Sequence, residues 1–395
     1  MHKHPASILI FALLFCLAGC GGRAYVYDES PLAGLRAAAE TQSDDGVTVR
    51  AAVPGRDDTE ALFGVDMYAE GIQPVWIEVT NNLERNARYA PVSTDRDYYS
   101  PLEIAWKFRG GYSDEGEFEL QKRLYLGAMP RYIPPGETRS GFVFTHLDNG
   151  AKGFNVDVHS LGETHLFTFL LRVPGFTPDY ANVDFAKMYE ESQIRRLDDE
   201  GAYTALQNMR CCTRTEGGED ILPINVVLVA SGDEILRSLL RSGWIETAAG
   251  ETNSRRDEYF FGRPQDGVFR YETLDKGSSY ELRLWFSPVF ANGERVWLGQ
   301  VRHYFRVGGA IRREDADIDN ARNFAAQKFV YGQAVERIAW FQGTAVVPVS
   351  SFWDQLIGEP YFTDGMRLVL WLTGDPVAAQ DIEFVPWDDP PAWTQ

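Results

Sequence analysis

Apolar and polar residues alternate along most of residues 46–174. Val47-Thr-Val-Arg-Ala-Ala-Val, Val75-Trp-Ile-Glu-Val-Thr, Leu102-Glu-Ile-Ala-Trp, Phe142-Val-Phe, Phe154-Asn-Val-Asp-Val and Leu166-Phe-Thr-Phe-Leu-Leu-Arg-Val show the period of half-buried strands. Thr80-Asn-Asn, Pro134-Pro-Gly-Glu and Asp148-Asn-Gly supply turn chemistry between them. Six or seven short strands with no helical pattern between them predict an all-β, immunoglobulin-like sandwich over residues 46–176.

The pattern then changes. In residues 184–197, Phe185, Met188, Ile194 and Leu197 fall near one face of a helix, and 198–209 also reads as helical, so 177–210 is expected to be a helical linker. Beyond it come a strand at Ile224-Asn-Val-Val-Leu-Val, a helix over 233–242 and strands around Tyr259, Val268, Tyr280 and Val296. A helix over 320–332 and strands near Arg337 and Met366 follow. One strand-helix-strand unit among antiparallel neighbours predicts an α+β sandwich domain over 211–376, with 377–395 as a C-terminal tail.

The chain opens on His2, Lys3 and His4, then an apolar run over 8–17, then Leu17-Ala18-Gly19-Cys20. That run is too short to span about 30 Å of hydrocarbon, and the small residues after it suit cleavage. Residues 1–19 therefore read as a signal peptide. The Leu-Ala-Gly-Cys end resembles the lipobox of bacterial lipoproteins, which implies lipidation of Cys20. Residues 20–45, rich in Gly, Ala, Ser and Asp, are expected to form a lipidated tether. No Asp follows Cys20, so the outer membrane, facing the periplasm, is the expected site. An envelope protein partner is expected there.

At 395 residues and 44% hydrophobic content the chain can fill two cores. Acids outnumber bases by 57 to 38, a net charge of −19, which disfavours nucleic acid because that affinity comes from Lys and Arg neutralising phosphates.

Separated motifs follow in order along the second half of the chain: Met209-Arg-Cys-Cys-Thr, Leu222-Pro-Ile-Asn-Val-Val-Leu-Val, Leu239-Leu-Arg-Ser-Gly-Trp, Tyr259-Phe-Phe-Gly-Arg-Pro-Gln-Asp, Arg283-Leu-Trp, Val296-Trp-Leu-Gly-Gln, Asp317-Ile-Asp and Tyr361-Phe-Thr-Asp-Gly-Met-Arg. Together they resemble the family named after the LssY C-terminal region, over about residues 211–373. The resemblance implies a fold class and a cell-envelope setting, and no catalytic residues. Ala321 and Tyr304 depart from acids that the family tends to carry at or near those positions.

Candidate chemistry is sparse. Among His146, His159, His165 and His303 no metal-binding spacing occurs, and no metal or cofactor is expected. His303 is either a satisfied strand histidine or a general base beside Asp317 and Asp319. Asp315-Ala-Asp-Ile-Asp begins like a calcium loop, but Asn320 and Ala326 stand where Gly and Glu are needed, so Asp317 and Asp319 read as helix caps. Cys211-Cys212 is either a vicinal disulfide or two small buried hydrophobes at a helix end. In Gly262-Arg-Pro-Gln-Asp, Arg263, Gln265 and Asp266 either bind an anionic ligand or brace their loop. No nucleophile-elbow, Walker or dinucleotide pattern is present. The expected function is a lipid-anchored binding or assembly module beside secretion or lipid-handling machinery. The alternative is a hydrolase of envelope substrates using the region of Arg263, His303 and Asp317.

Overall fold

A strand with Val75, Ile77 and Val79 on one side and Ile72 and Trp76 on the other has two apolar faces, so it needs a cover on each. The computed structural model describes residues 22–148, 150–175, 184–185, 187–247, 258–273, 277–308, 311–352 and 361–389. Residues 1–19 and Cys20 lie outside them. The chain is mostly β, with several open sheets, and divides into two units.

The first unit holds β1 (Glu40–Asp44), β2 (Val47–Ala52), β3 (Ile72–Asn81), β4 (Ala87–Ala90), β5 (Tyr132–Ile133), β6 (Thr138–His146), β7 (Ala151–Ser160) and β8 (Glu163–Arg172). They form two four-stranded sheets, β1-β2-β3-β6 and β5-β4-β7-β8. Val49, Val75 and Ile77 of one meet Tyr89, Val156 and Phe169 of the other in a single buried cluster.

Helices α1 (Pro31–Ala37), α2 (Arg56–Phe63), α3 (Pro101–Phe108) and α4 (Asp114–Gly127) belong to this unit. Their Leu35, Leu62, Phe63, Ile104, Leu120 and Leu124 bury against Ile72, Trp76, Phe142 and Phe144 on the outer side of β3 and β6. The expectation of strands with no helix between them therefore fails. Leu102-Glu-Ile-Ala-Trp is helical because Ser100 and Glu103 close a capping box, and Pro101 occupies the first helical position, where its missing N–H costs nothing. Residues 22–45 are no free tether either. The Arg23 N–H bonds the Gly111 carbonyl at 2.9 Å, Tyr25 Oη bonds the Phe63 carbonyl at 2.7 Å, and β1 pairs with β2.

The second unit holds β9 (Arg195–Leu197), α5 (Asp199–Gln207), β10 (Cys212–Arg214), β11 (Asp220–Pro223), β12 (Val226–Val229), α6 (Gly232–Arg241), β13 (Ile245–Glu246), β14 (Tyr259–Phe260) and β15 (Arg263–Pro264). These are followed by β16 (Gly267–Glu272), β17 (Ser278–Ala291), β18 (Glu294–Val307), β19 (Ile311–Glu314), α7 (Ile318–Tyr331), β20 (Val335–Gln342), β21 (Met366–Leu372) and β22 (Glu383–Phe384).

A ten-stranded mixed sheet runs β13-β16-β17-β18-β12-β21-β20-β22, with β19 on β18 and β9 on β17. Consecutive residues of β12 and β21 serve opposite faces. Val226, Leu228, Leu368 and Leu370 pack under α6 and α7, while Val227, Val229, Val369 and Trp371 join Ala202 and Leu206 of α5.

Two expectations are corrected here. Residues 191–197 form a single 3-10 turn and then β9, because pairing with Val289–Ala291 outweighs a weak helical preference. Part of the presumed tail belongs to the fold, since β22 pairs with β20 and Trp387 packs on Trp371 at 5.4 Å between ring centroids. Among the described residues no helix is long and apolar enough to cross a membrane.

Candidate functional site

Strands β17 and β18 are joined at Asn292-Gly293, both at positive φ (50° and 92°), as a two-residue hairpin turn requires. Their register sorts the side chains. Tyr280, Leu282 and Leu284 with Val301 and His303 face the helices, while Glu281 and Arg283 with Gln300 and Arg302 face the other way.

On that second face lies a buried ionic cluster. Arg283 reaches Glu258 at 2.9 Å and Glu281 at 2.8 Å, and Arg302 also pairs with Glu258. All four residues are at most 5% exposed. Burial opposes the charge of Arg302, but the carboxylates of Glu258 and Glu314 override it and raise its pKa. Two acids and two bases balance one another at its centre, and Glu314 and Arg312 extend it at its edge, on Arg302 at 3.4 Å and on Glu281 at 3.7 Å.

At the end of the same face, β16, β17, β18 and β19 enclose a cleft lined by Arg270, Glu272, Ser279, Tyr304, Arg306 and Arg312. Three guanidiniums there face one carboxylate of the lining. Arg312 lies 3.7 Å from the Tyr304 ring centroid and 3.7 Å from a Glu281 oxygen. The Nε and Nη2 of Arg270 are buried and have no hydrogen-bond partner among the described residues. Burial pushes the Tyr304 phenol up to about 12, so it stays a neutral hydroxyl at physiological pH. The cleft can therefore present several N–H and O–H donors to one small anion.

Ser278 borders this cleft along the strand, but by register its side chain lies with Tyr280 and His303 on the opposite face of the sheet. Its Oγ is 2.5 Å from His303 Nε2, and His303 Nδ1 is 2.8 Å from an oxygen of Asp315. The His303 ring stacks on Tyr280 at 4.4 Å, and Tyr280 stacks on Phe324 at 3.5 Å.

Residues 255–366 match the family model of the LssY C-terminus. The resemblance drawn from the sequence is thus shown for a segment that holds the cleft, Ser278, His303 and Asp315. No curated protein matches the chain. The name of the LssY segment states no activity, so function has to come from the site.

Within the LssY segment the sequence-predicted residues separate into different places. Arg263 is tied to Asp266 at 2.9 and 3.0 Å, to Tyr189 Oη at 2.6 Å and to the Phe286 carbonyl. Asp266 in turn accepts from the Phe286 N–H at 2.7 Å, and Gln265 accepts from the Glu258 N–H at 3.4 Å. These groups brace their loop. Phe286 stands six residues along β17 from Tyr280, the partner of His303, which is about 20 Å of extended strand. Arg263 and His303 therefore share no cleft.

The adjacent acids also divide. Asp317 caps α7, accepting from the Asn320 N–H at 3.0 Å. Asp319, expected to cap as well, instead accepts from the Asp364 N–H, Thr363 Oγ1 and Arg322. Burial raises its pKa, against the pull of Arg322.

Cys211 and Cys212 are disulfide-bonded to each other, and Cys212 is buried. Arg367, fully buried, grips the carbonyls of Arg210, Cys211 and Ile224, and burial without a carboxylate pushes its pKa down to about 10. Among the described residues no group of three or more His, Cys, Asp or Glu could hold a metal.

Arg270, Arg306, Arg312 and Ser278 were not singled out from the sequence, and Asp315 was read only as the start of a failed calcium loop. They carry no local motif, because strand register alone brings them together. The one available signal was a run of four arginines, Arg302, Arg306, Arg312 and Arg313, within twelve residues of an acidic chain.

Proposed function

We propose that this chain is a lipid-anchored lipoprotein of the cell envelope whose second unit is a binding module that takes a small anionic group in the arginine cleft. The observation that carries the reading is Arg270, whose buried Nε and Nη2 have no hydrogen-bond partner among the described residues while the side chain lines a cleft shared with Arg306 and Arg312. Buried donors left without acceptors cost free energy, and an anion would satisfy them.

A net charge of −19 keeps polyanions away at long range, while three local guanidiniums favour a small anion at short range. Anchoring through Cys20 in the outer membrane, facing the periplasm, and an envelope partner rest on the leader sequence. Two facing sheets support an immunoglobulin-like sandwich for the first unit, and helices on a mixed sheet support the α+β assignment for the second.

Thermal melts in phosphate against chloride at matched ionic strength test the binding reading. Phosphate at a hundredfold its dissociation constant should stabilise the fold by about 2.7 kcal/mol and raise the melting temperature. The same melt in Arg270→Met should show no rise. Equal melting of the wild type in both salts would remove the proposal.

A further inference from the structure

We infer that Ser278, His303 and Asp315 form a nucleophile, a general base and its orienting carboxylate for acyl transfer, on the sheet face opposite the arginine cleft. The proton positions follow from chemistry. An ionised carboxylate only accepts, so the 2.8 Å contact with Asp315 places the imidazole proton on Nδ1. Nε2 is then an acceptor, and the Ser278 hydroxyl 2.5 Å away donates to it. That is the arrangement by which a base activates a serine.

Each partner is held by a separate element. The His303 ring is fixed on its face by Tyr280, and Tyr280 by Phe324 of α7. Asp315 is fixed by the Asp317 N–H on its other oxygen at 3.1 Å and by its own N–H on the His303 carbonyl at 2.9 Å. Ser278 stands at the start of β17, diagonal to His303 across the β17-β18 pairing.

In the step, Oγ attacks an ester carbonyl carbon while its proton passes to Nε2, and the imidazolium is stabilised by Asp315. The bond to the leaving alkoxide breaks as Nε2 returns the proton to it. Water then adds to the acyl-enzyme, giving its proton to Nε2, and as the carbon–Oγ bond breaks Nε2 returns that proton to Oγ, releasing the acid and restoring the serine hydroxyl and the neutral imidazole. Ester and water become acid and alcohol. The substrate class is an ester, and the nucleophile does not depend on the anion-binding reading above.

An alkyl fluorophosphonate on the full-length protein tests the nucleophile. The expected result is one adduct with loss of fluoride, located on Ser278 by peptide mass. It should be absent in Ser278→Ala and kept in Ser43→Ala. In His303→Gln it should form at least about 100-fold more slowly. No adduct on the wild type, an adduct on another serine, or labelling of His303→Gln at the wild-type rate would overturn the nucleophile, whether or not Ser278→Ala folds.

Discussion

Arg322 holds Asp364 in a two-pronged pair, 2.8 Å to each carboxylate oxygen, with the guanidinium side chain only 2% exposed. The same guanidinium donates to Asp319 at 3.2 Å and to the Met366 carbonyl at 2.7 Å, and its plane lies over Trp340. This knot ties α7 to the loop before β21. Removing one partner of a buried pair leaves the other charge uncompensated. Arg322→Met should therefore destabilise the second unit by about 3 kcal/mol or more, read from urea unfolding of the full chain. A loss below about 1 kcal/mol, the scale of an exposed pair, would show the knot to be dispensable.

Two carboxylates should move stability with pH in opposite senses. Burial raises the folded pKa of Asp319, so between the ordinary 3.8 and that raised value the folded chain binds more protons than the unfolded one. Its contribution should fall as pH rises through that window and stay flat above it. For Asp95 burial also pushes up, but hydrogen bonds from the His146 backbone and ring outweigh it and the pKa is lowered. Its stabilisation should be complete above 3.8 and vanish as pH falls through the depressed value. Asp319→Asn and Asp95→Asn should each flatten their own window in denaturant melts, and unchanged slopes would contradict the assignments.

Asp317→Ala should cost on the order of 1 kcal/mol through loss of one capping hydrogen bond. Thermal melts should be indifferent to EDTA and to added calcium. A stoichiometric calcium signal lost in the variant would mean that Asp317 is a ligand and not a cap.

The period-two pattern was a sound guide to the long strands β3, β7 and β8, most of whose apolar residues bury, although Leu166 of β8 is exposed. It misled at Leu102-Glu-Ile-Ala-Trp, because five alternating residues fit a short helix as well as a strand. The deciding signal was the neighbouring Ser100-Pro101 with Glu103. Helix α4 was missed because only Gly116, Leu120 and Leu124 are buried, while Phe118, Tyr125 and Leu126 stay exposed and blur its stripe.

At the site, Gly262-Arg-Pro-Gln-Asp attracted attention as a compact motif, yet its charges satisfy each other. Ser278 and Asp315 lie 37 residues apart. They meet only because β17 pairs with β18 so that Tyr280 faces His303, a register that no local pattern encodes.

Cys20→Ser tests the anchor. The wild type should be processed and fractionate with membranes, and the variant should remain unprocessed or appear in the soluble fraction. Normal maturation and membrane attachment of the variant would contradict lipidation at Cys20.

The central claim, an anion held by Arg270, Arg306 and Arg312, is tested most directly by isothermal titration of the full-length protein with inorganic phosphate. One site should saturate, its affinity should weaken as salt rises, and Arg270→Met should lose at least about tenfold, the scale of one charge-assisted hydrogen bond. Absence of binding at millimolar phosphate, or equal affinity in a folded Arg270→Met variant, would contradict the account.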